Sequence, residues 1–563
     1  MPRRSFLVVP ALLLATVAFA ADEAPGLDLP ALPEVTVEMD APARAPSAIL
    51  DLAAPDLPPV VVSVPPLDPV ADALRGRLAE AARLHPRLAA AQTEALRAFY
   101  AARDFRPLLV EGGALTAAGR AVAGRLGAAD ADALDPADYA VPALGVARRG
   151  DRPADLAAAE LTLAASAVLY ARDARGGRIE PARLSKHITP KLALPDAGEV
   201  MTALAGARDP SAALQAFNPP HEGYRALRAK LAEIRAGQPA RPMVRLPAGP
   251  ALRVGMSDER VPLVRARFGL GPSDSGTYDA RLASAVAAFQ REHGLRGTGV
   301  LDRETLAALE RPPVGARESD IVANMERWRW LPADLGGRHI FVDIPAFVLR
   351  VVENGRVEHA ARVQVGKPER PTPVFSQAMT HMVVNPSWTV PPTILKKDML
   401  PTLQADPSYA ARRGLEVFRN GKRVDPYAVD WSNPRGISLR QPPGDRNALG
   451  QMKFMFPNDH AVYIHDTPSR NLFRPDRRAF SSGCVRVDQP FRLAQVVLED
   501  EGAEARLKRV IGEKAERTIH LRRPLPVHLT YFTLKGDEEG RLQRRGDIYG
   551  IDDLVKGALG LRG

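Results

Sequence analysis

The sequence predicts a multidomain α+β protein: a helical scaffold domain, a small three-helix module and a β-rich domain interrupted by a long insertion. Three observations predict it. A chain of 563 residues exceeds what one hydrophobic core organises. Apolar residues recur at three- and four-residue steps through 69–240 and again within 249–312. After residue 318 the spacing changes to alternation, and Asn354-Gly355 stands between two alternating runs as a hairpin turn.

The first element, residues 1–20, joins Arg3 and Arg4 to an apolar run from Phe6 and ends in the small-residue pattern Ala18-Phe19-Ala20. That is the layout of a signal peptide, its apolar run short for a spanning helix, so export is expected. No other run reads as a membrane span. Residues 21–68 are rich in proline, alanine and acids and read as an extended tether. The formal charge of +10 is uneven: residues 1–20 carry +2 and 21–68 carry −8, leaving +16 on the rest. A basic body favours a polyanion; for an exported protein a carboxylate-rich wall polymer fits and nucleic acid does not.

Residues 69–240 form the helical domain, with runs such as "LAAAELTLAASAVLYARDARGG" and no cluster of catalytic residue types. In 249–312, Ser257 is expected to cap a helix closing near Gly271. Leu282, Val286 and Phe289 share a face of the second helix, Asp302 caps the third, and His293 reads as a surface or capping residue. Three short helices around one small core suit a binding module. Residues 318–535 are strand-rich, with an insertion over 392–447 that opens helix-like and continues rich in Pro, Gly and Arg. An excursion of that size in a β domain is often a functional lid. Residues 536–563 are expected to be a C-terminal tail.

Chemistry concentrates around Cys484, the only cysteine, in "RAFSSGCVRVD". A single thiol makes no internal disulfide; outside the cytoplasm it is either a buried side chain or a reactive group. A thiol becomes a nucleophile when a base takes its proton and backbone N–H groups stabilise the oxyanion. Gly483 lets the backbone approach a substrate, Arg486 favours a thiolate or holds a carboxylate, and Asp488 is placed to cap the following helix. His465 lies 19 positions upstream in "HAVYIHD". Alternation puts Ala461, Tyr463 and His465 on one face and apolar Val462 and Ile464 on the other, so Tyr463 and His465 are expected to face an opening.

Taken together, "IHDTP…RAFSSGCVRV" resembles the L,D-transpeptidases, cysteine enzymes that cross-link bacterial peptidoglycan. Their signature of a histidine, a spacer and Ser-x-Gly-Cys-x-Arg is matched by Ser481 to Arg486, with Ser482 where many smaller members carry histidine. "NMERWRWLP", "VVNPSWTVPP", "NALGQMKFMFPN" and "AVAAFQREHGL" look like the larger Gram-negative members. Those combine a scaffold domain, a peptidoglycan-binding module over the region of 249–312 and a catalytic domain over 318–535 with a capping insertion.

The resemblance implies Cys484 as nucleophile and His465 as base, its ring oriented by the backbone carbonyl of Asp466, a residue that is commonly glycine there. It implies a donor tetrapeptide stem losing D-alanine to a Cys484 thioester. An acceptor amine then resolves the thioester into a 3→3 meso-diaminopimelate cross-link in the periplasm. Arg486 and Tyr463 are expected to position the stem, Asn385, Trp388 and Asn447 to line the groove, and Ser481 and Ser482 to flank the nucleophile. Implied partners are the stem peptides and wall-synthesis proteins that supply tetrapeptides, with no cofactor. Other readings stay open: a cysteine L,D-carboxypeptidase, a papain-like or wall endopeptidase with its base after the cysteine at His520 or His528, or a non-catalytic wall-binding protein. A metallopeptidase finds no HExxH and no ligand-spaced cluster.

Overall fold

The computed structural model describes residues 68–143, 152–236, 246–247, 249–271, 276–292, 295–310, 318–499, 502–536 and 542–561. The expected signal peptide, the tether as far as residue 67, and His293 lie outside them.

The first region packs helices around Pro153–Gly176, which stops where Gly177 turns the chain. Leu163, Val168, Tyr170 and Ala171 of this helix are fully or almost fully buried. It is long and apolar enough by composition to cross a membrane, yet 78% of its apolar window is buried within the protein. A core helix passes the same test as a span. Buried carboxylates key the packing: Tyr100 donates to Glu160 at 2.6 Å and Tyr170 to Asp132 at 2.7 Å.

The small module comprises Val261–Arg267, Ala280–Glu292 and Arg303–Glu310. Leu282 and Val286 are fully buried with Phe289 packed beside them, and Asp302 accepts from the Thr305 N–H at 2.8 Å. The first helix differs from expectation. Ser257 bridges to Thr277 instead of capping, and Pro262 in the first turn starts the helix four residues later. It ends at Arg267, with Gly269 taking the left-handed conformation.

The β-rich region forms a nine-stranded sheet: β1 Arg338–Asp343, β2 Val348–Glu353, β3 Arg356–Gly366, β4 Phe375–Val384, β5 Met452–Met455, β6 Ile464–His465, β7 Ala479–Ser481, β8 Val485–Val487 and β9 Arg517–Thr530. The strand order is β7-β3-β8-β6-β5-β4-β9-β1-β2, and β2 also pairs with β3, so the sheet closes on itself. Asn354 and Gly355, both at positive φ, make the β2–β3 turn. The "KFMFPNDHAVYIHD" run is not one strand: it breaks between β5 and β6, with Ala461 at φ 52°. The helix Pro490–Leu498 covers the core side, burying Leu493 and Ala494 against Ile464 and Val485. Asp488 does not cap it. Its carboxylate pairs with Arg362 at 2.7 Å, and Gln489 enters the helix in the left-handed conformation.

The insertion is more ordered than its composition implies. Trp388–Thr389, Ile437–Gln441, Glu416–Arg419 and Lys422–Val424 form a separate four-stranded sheet with its own core of Leu403, Val417, Trp431 and Leu439. Its leading helix passes through a π-turn over Leu395–Met399, where the Leu400 N–H reaches back to Leu395 O. Pro401 has no N–H to continue the ordinary ladder there.

Of the expected tail 536–563, the described residues 542–561 pack onto the β-rich region instead. Leu534–Gly536 and Leu542–Arg544 form a hairpin, and the helix Ile551–Ala558 buries Ile551 and Val555 in the catalytic core. The junction with the helical domain is close: Ile188 pairs with Val374, and the rings of His221 and buried Trp328 lie 5.4 Å apart.

Candidate active site

The site is assembled where three short strands meet. β6 runs parallel to β8 with Ile464 opposite Val485 and His465 opposite Arg486. β5 runs antiparallel to β6 with Lys453 opposite His465. Ile464, Phe454 and Val485 are fully buried beneath the sheet. Alternation therefore turns Cys484, Arg486, Tyr463, His465 and Lys453 to the other face.

His465 donates from Nδ1 to the Asp466 carbonyl at 2.5 Å, which leaves Nε2 as the acceptor nitrogen of a neutral ring. Burial pushes its pKa down to about 3, helped by the Arg486 charge. Contrary to expectation, His465 is thus buried, 4% exposed, and does not stand in an opening. Cys484 is half-buried. Burial pushes its thiol pKa up; the Tyr463 backbone and hydroxyl, Lys453 and Arg486 oppose that rise. Among the described residues no hydrogen bond joins Cys484 to His465, and the Cys484 N–H meets no acceptor.

Gly483 stands at φ 115°, a conformation that excludes an ordinary side chain. A Cβ there would meet only ordinary contacts at 3.6 Å, so backbone conformation rather than close approach requires the glycine. Ser481 is buried and closes the loop, accepting from the Gly483 N–H at 3.1 Å and donating to the Cys484 carbonyl at 2.6 Å. The Gly483 N–H is thereby engaged, whereas that of Cys484 stays open to an oxyanion. Ser482 is exposed and accepts from Arg370 at 2.9 Å; Arg370 also binds Asp398 of the insertion at 2.5 Å.

Other expectations change. The Asp466 carboxylate faces away, accepting from the Gln451 and Thr467 N–H groups and pairing with Arg470. Asn385, at φ 49°, is buried and donates to the carbonyls of Val510 and Ile511. Asn447 is 2% exposed and donates to the carbonyls of Pro386 and Pro442. Trp388 packs on the insertion's core. Asn447 and Trp388 hold the insertion, and Asn385 ties β4 to the Ala503–Gly512 helix; none lines a groove, because their polar groups or rings are already engaged. Arg486 donates to the neutral Gln364 at 3.2 Å, and its Nε is buried without a partner. Both ring nitrogens of His528 are engaged, by Ser376 and by Leu335 O, and His520 lies beside His381 on β9. Neither approaches the Cys484 loop.

Sequence reasoning missed Lys453, Thr372 and Tyr549. Thr372 donates to the Gly483 carbonyl at 2.8 Å, and Tyr549 donates to Gly366 O while accepting from the Thr372 N–H. Lys453 had a signal: it stands between core residues Met452 and Phe454 in an alternating strand. Thr372 and Tyr549 had none, since only the fold brings them to the loop.

The chain is similar to known proteins over three separate regions. A profile described as "L,D-transpeptidase catalytic domain" matches residues 337–511, one described as "Scaffold domain" matches 94–231, and one described as "Putative peptidoglycan binding domain" matches 263–309. A protein of Haemophilus influenzae named "Putative L,D-transpeptidase" is 37% identical over 270 residues, covering 46% of this chain and 54% of that protein's own length. Among solved structures, an L,D-transpeptidase from Xylanimonas cellulosilytica is 16% identical with TM-score 0.18, covering 50% of this chain and 98% of that one. One from Mycobacterium smegmatis is 14% identical with TM-score 0.17, covering 34% and 58%. Cys484 and His465 both fall within the matched catalytic domain, in a chain that carries scaffold and peptidoglycan-binding regions before it. Residues 337–511 match the L,D-transpeptidase catalytic domain, and the chain is similar to a curated L,D-transpeptidase over about half of that protein's length.

Proposed function

We propose that this protein is an exported, periplasmic peptidoglycan L,D-transpeptidase that forms 3→3 cross-links through a Cys484 thioester. The observation that carries the reading is the shared sheet face of Cys484 and His465, with His465 Nδ1 tied to the Asp466 carbonyl. That tie reserves Nε2 to accept the thiol proton.

The sulfur attacks the carbonyl of meso-diaminopimelate, the third residue of a donor tetrapeptide. The open Cys484 N–H stabilises the oxyanion, and His465 returns its proton to the departing D-alanine amine. An acceptor stem amine next attacks the thioester, His465 taking its proton, and the thiol is released as the cross-link forms. Arg486, with a buried guanidinium only half engaged, is placed to hold a stem carboxylate. The region matched at 263–309 holds the polymer, and wall-synthesis proteins that generate tetrapeptides supply the donor.

Purified disaccharide-tetrapeptide incubated with the protein and analysed by mass spectrometry should yield dimers and free D-alanine. Cys484→Ala should yield neither, and His465→Ala should slow dimer formation about 10²- to 10⁴-fold. Tripeptide without dimers would assign a carboxypeptidase, and dimers from Cys484→Ala would end the reading.

A further inference from the structure

We propose that Lys453 is a positioning residue of this site: its ammonium clamps the Tyr463 ring so that the phenol stays against the Cys484 thiol, and its charge favours the thiolate. The proposal rests on the reading of Cys484 as nucleophile.

The geometry is specific. Lys453 Nζ lies 4.2 Å from the Tyr463 ring centroid, a cation–π contact, and the same ring meets the His465 ring edge-on at 5.6 Å. Tyr463 is therefore held from two sides, and its hydroxyl and backbone both act on the thiol. The β5–β6 register places Lys453 opposite His465, and a one-residue slip would turn it into the core. A half-buried lysine ordinarily reaches an acid or water. The nearby acid Glu516 accepts instead from the Ser387 N–H at 2.6 Å, and the Lys453 ammonium has no hydrogen-bond partner among the described residues.

The titratable and charged groups around the pair are Tyr463, His465 and Arg486 from β6 and β8, His381 from β4, and Glu516 before β9. His465 is kept neutral by burial, and Arg486 is drawn toward Gln364. Lys453 is thus the cation whose partner is the site itself. Burial lowers its pKa, and the charge of Cys484 is the first influence opposing that.

Because Cys484 is the only cysteine, alkylation of the whole chain by iodoacetamide reads this thiol alone. Rates measured against pH by intact mass should give a midpoint about one unit higher for Lys453→Met, so about tenfold slower alkylation near neutrality. Lys453→Arg, which keeps charge and ring contact, should stay near the wild-type midpoint. Tyr463→Phe should also raise it, and Lys453→Met added to Tyr463→Phe should shift it less than Lys453→Met does alone. Lys453→Gln serves if the methionine variant does not melt cooperatively. A wild-type midpoint in either folded neutral variant, or Lys453→Arg as slow as Lys453→Met, overturns the proposal. The assay needs no substrate: absent cross-linking by the wild type would defeat the functional reading while leaving the thiol titration intact.

Discussion

At the scale of single residues the site is a neutral pair. His465, pushed down to about 3, is uncharged above that pH, and Cys484, pushed up by burial, is a thiol at neutrality. On the proposed reading, the proton passes from thiol to imidazole during the reaction. With the thiol raised, thiolate is lost as pH falls through that raised value. The wild-type alkylation midpoint should accordingly lie above the ordinary thiol value of about 8.5. A midpoint below about 7 would instead indicate a preformed thiolate–imidazolium pair. Cys484 and His465 were legible in the sequence because their types and spacing are rare together. The parts taken by Asn385 and Asn447 were not, since an amide in a loop reads alike whether it faces substrate or three carbonyls.

At the scale of elements, the insertion and the Cys484 loop are linked through Arg370. Its guanidinium binds Asp398 in the π-turned helix and Ser482 beside the cysteine, joining two elements distant in sequence. Such a partly exposed ion pair contributes about 0–1 kcal/mol to global stability. Arg370→Ala should hence leave global unfolding within about 1 kcal/mol of wild type. Hydrogen exchange across residues 392–447 should nevertheless quicken; exchange unchanged there would mean that other contacts hold the lid. Alternation and the Asn-Gly turn made β2 and β3 legible. The insertion's sheet escaped because its strands are two to five residues long and set among Pro, Gly and Arg. Periodicity needs a longer run to register.

At the scale of the whole molecule, the helical domain and the catalytic domain share a buried junction. Arg329 is fully buried and donates to Asp132 O and to the Tyr224 hydroxyl at 3.0 Å, spanning from the catalytic side into the scaffold. Two histidines lie along it: His221 meets Pro332 O and stacks near Trp328, and His528 meets Leu335 O. Burial lowers each of their pKa values to about 4, as it lowers that of His465 to about 3. Protonation is thus disfavoured in the folded state, so the stability from these groups is full above the unfolded value of about 6.5. It is lost as pH falls toward the folded values. By pH 5.5 the loss should be about 1 kcal/mol per histidine, read as a falling melting temperature between pH 7 and 5. His221→Gln should flatten that slope; an unchanged slope would place the acid sensitivity elsewhere.

The sequence by itself determined the fold class, the order of helical, small and β-rich regions, and the thiol and imidazole on which the chemistry is read. These are properties of composition, local period and neighbouring residue types, which a chain carries wherever it folds. Tertiary structure decided the rest. It turned residues 542–561 into a buttress, with Tyr549 tied to the Gly366 carbonyl and the Thr372 N–H beside the Cys484 loop. It spent the Asn385 amide on the carbonyls of Val510 and Ile511 and the Asn447 amide on holding the insertion, and it set Lys453 over Tyr463. Each of these depends on which strands become neighbours and in which register, and that is settled by burial across the whole closed sheet rather than by any short stretch of chain.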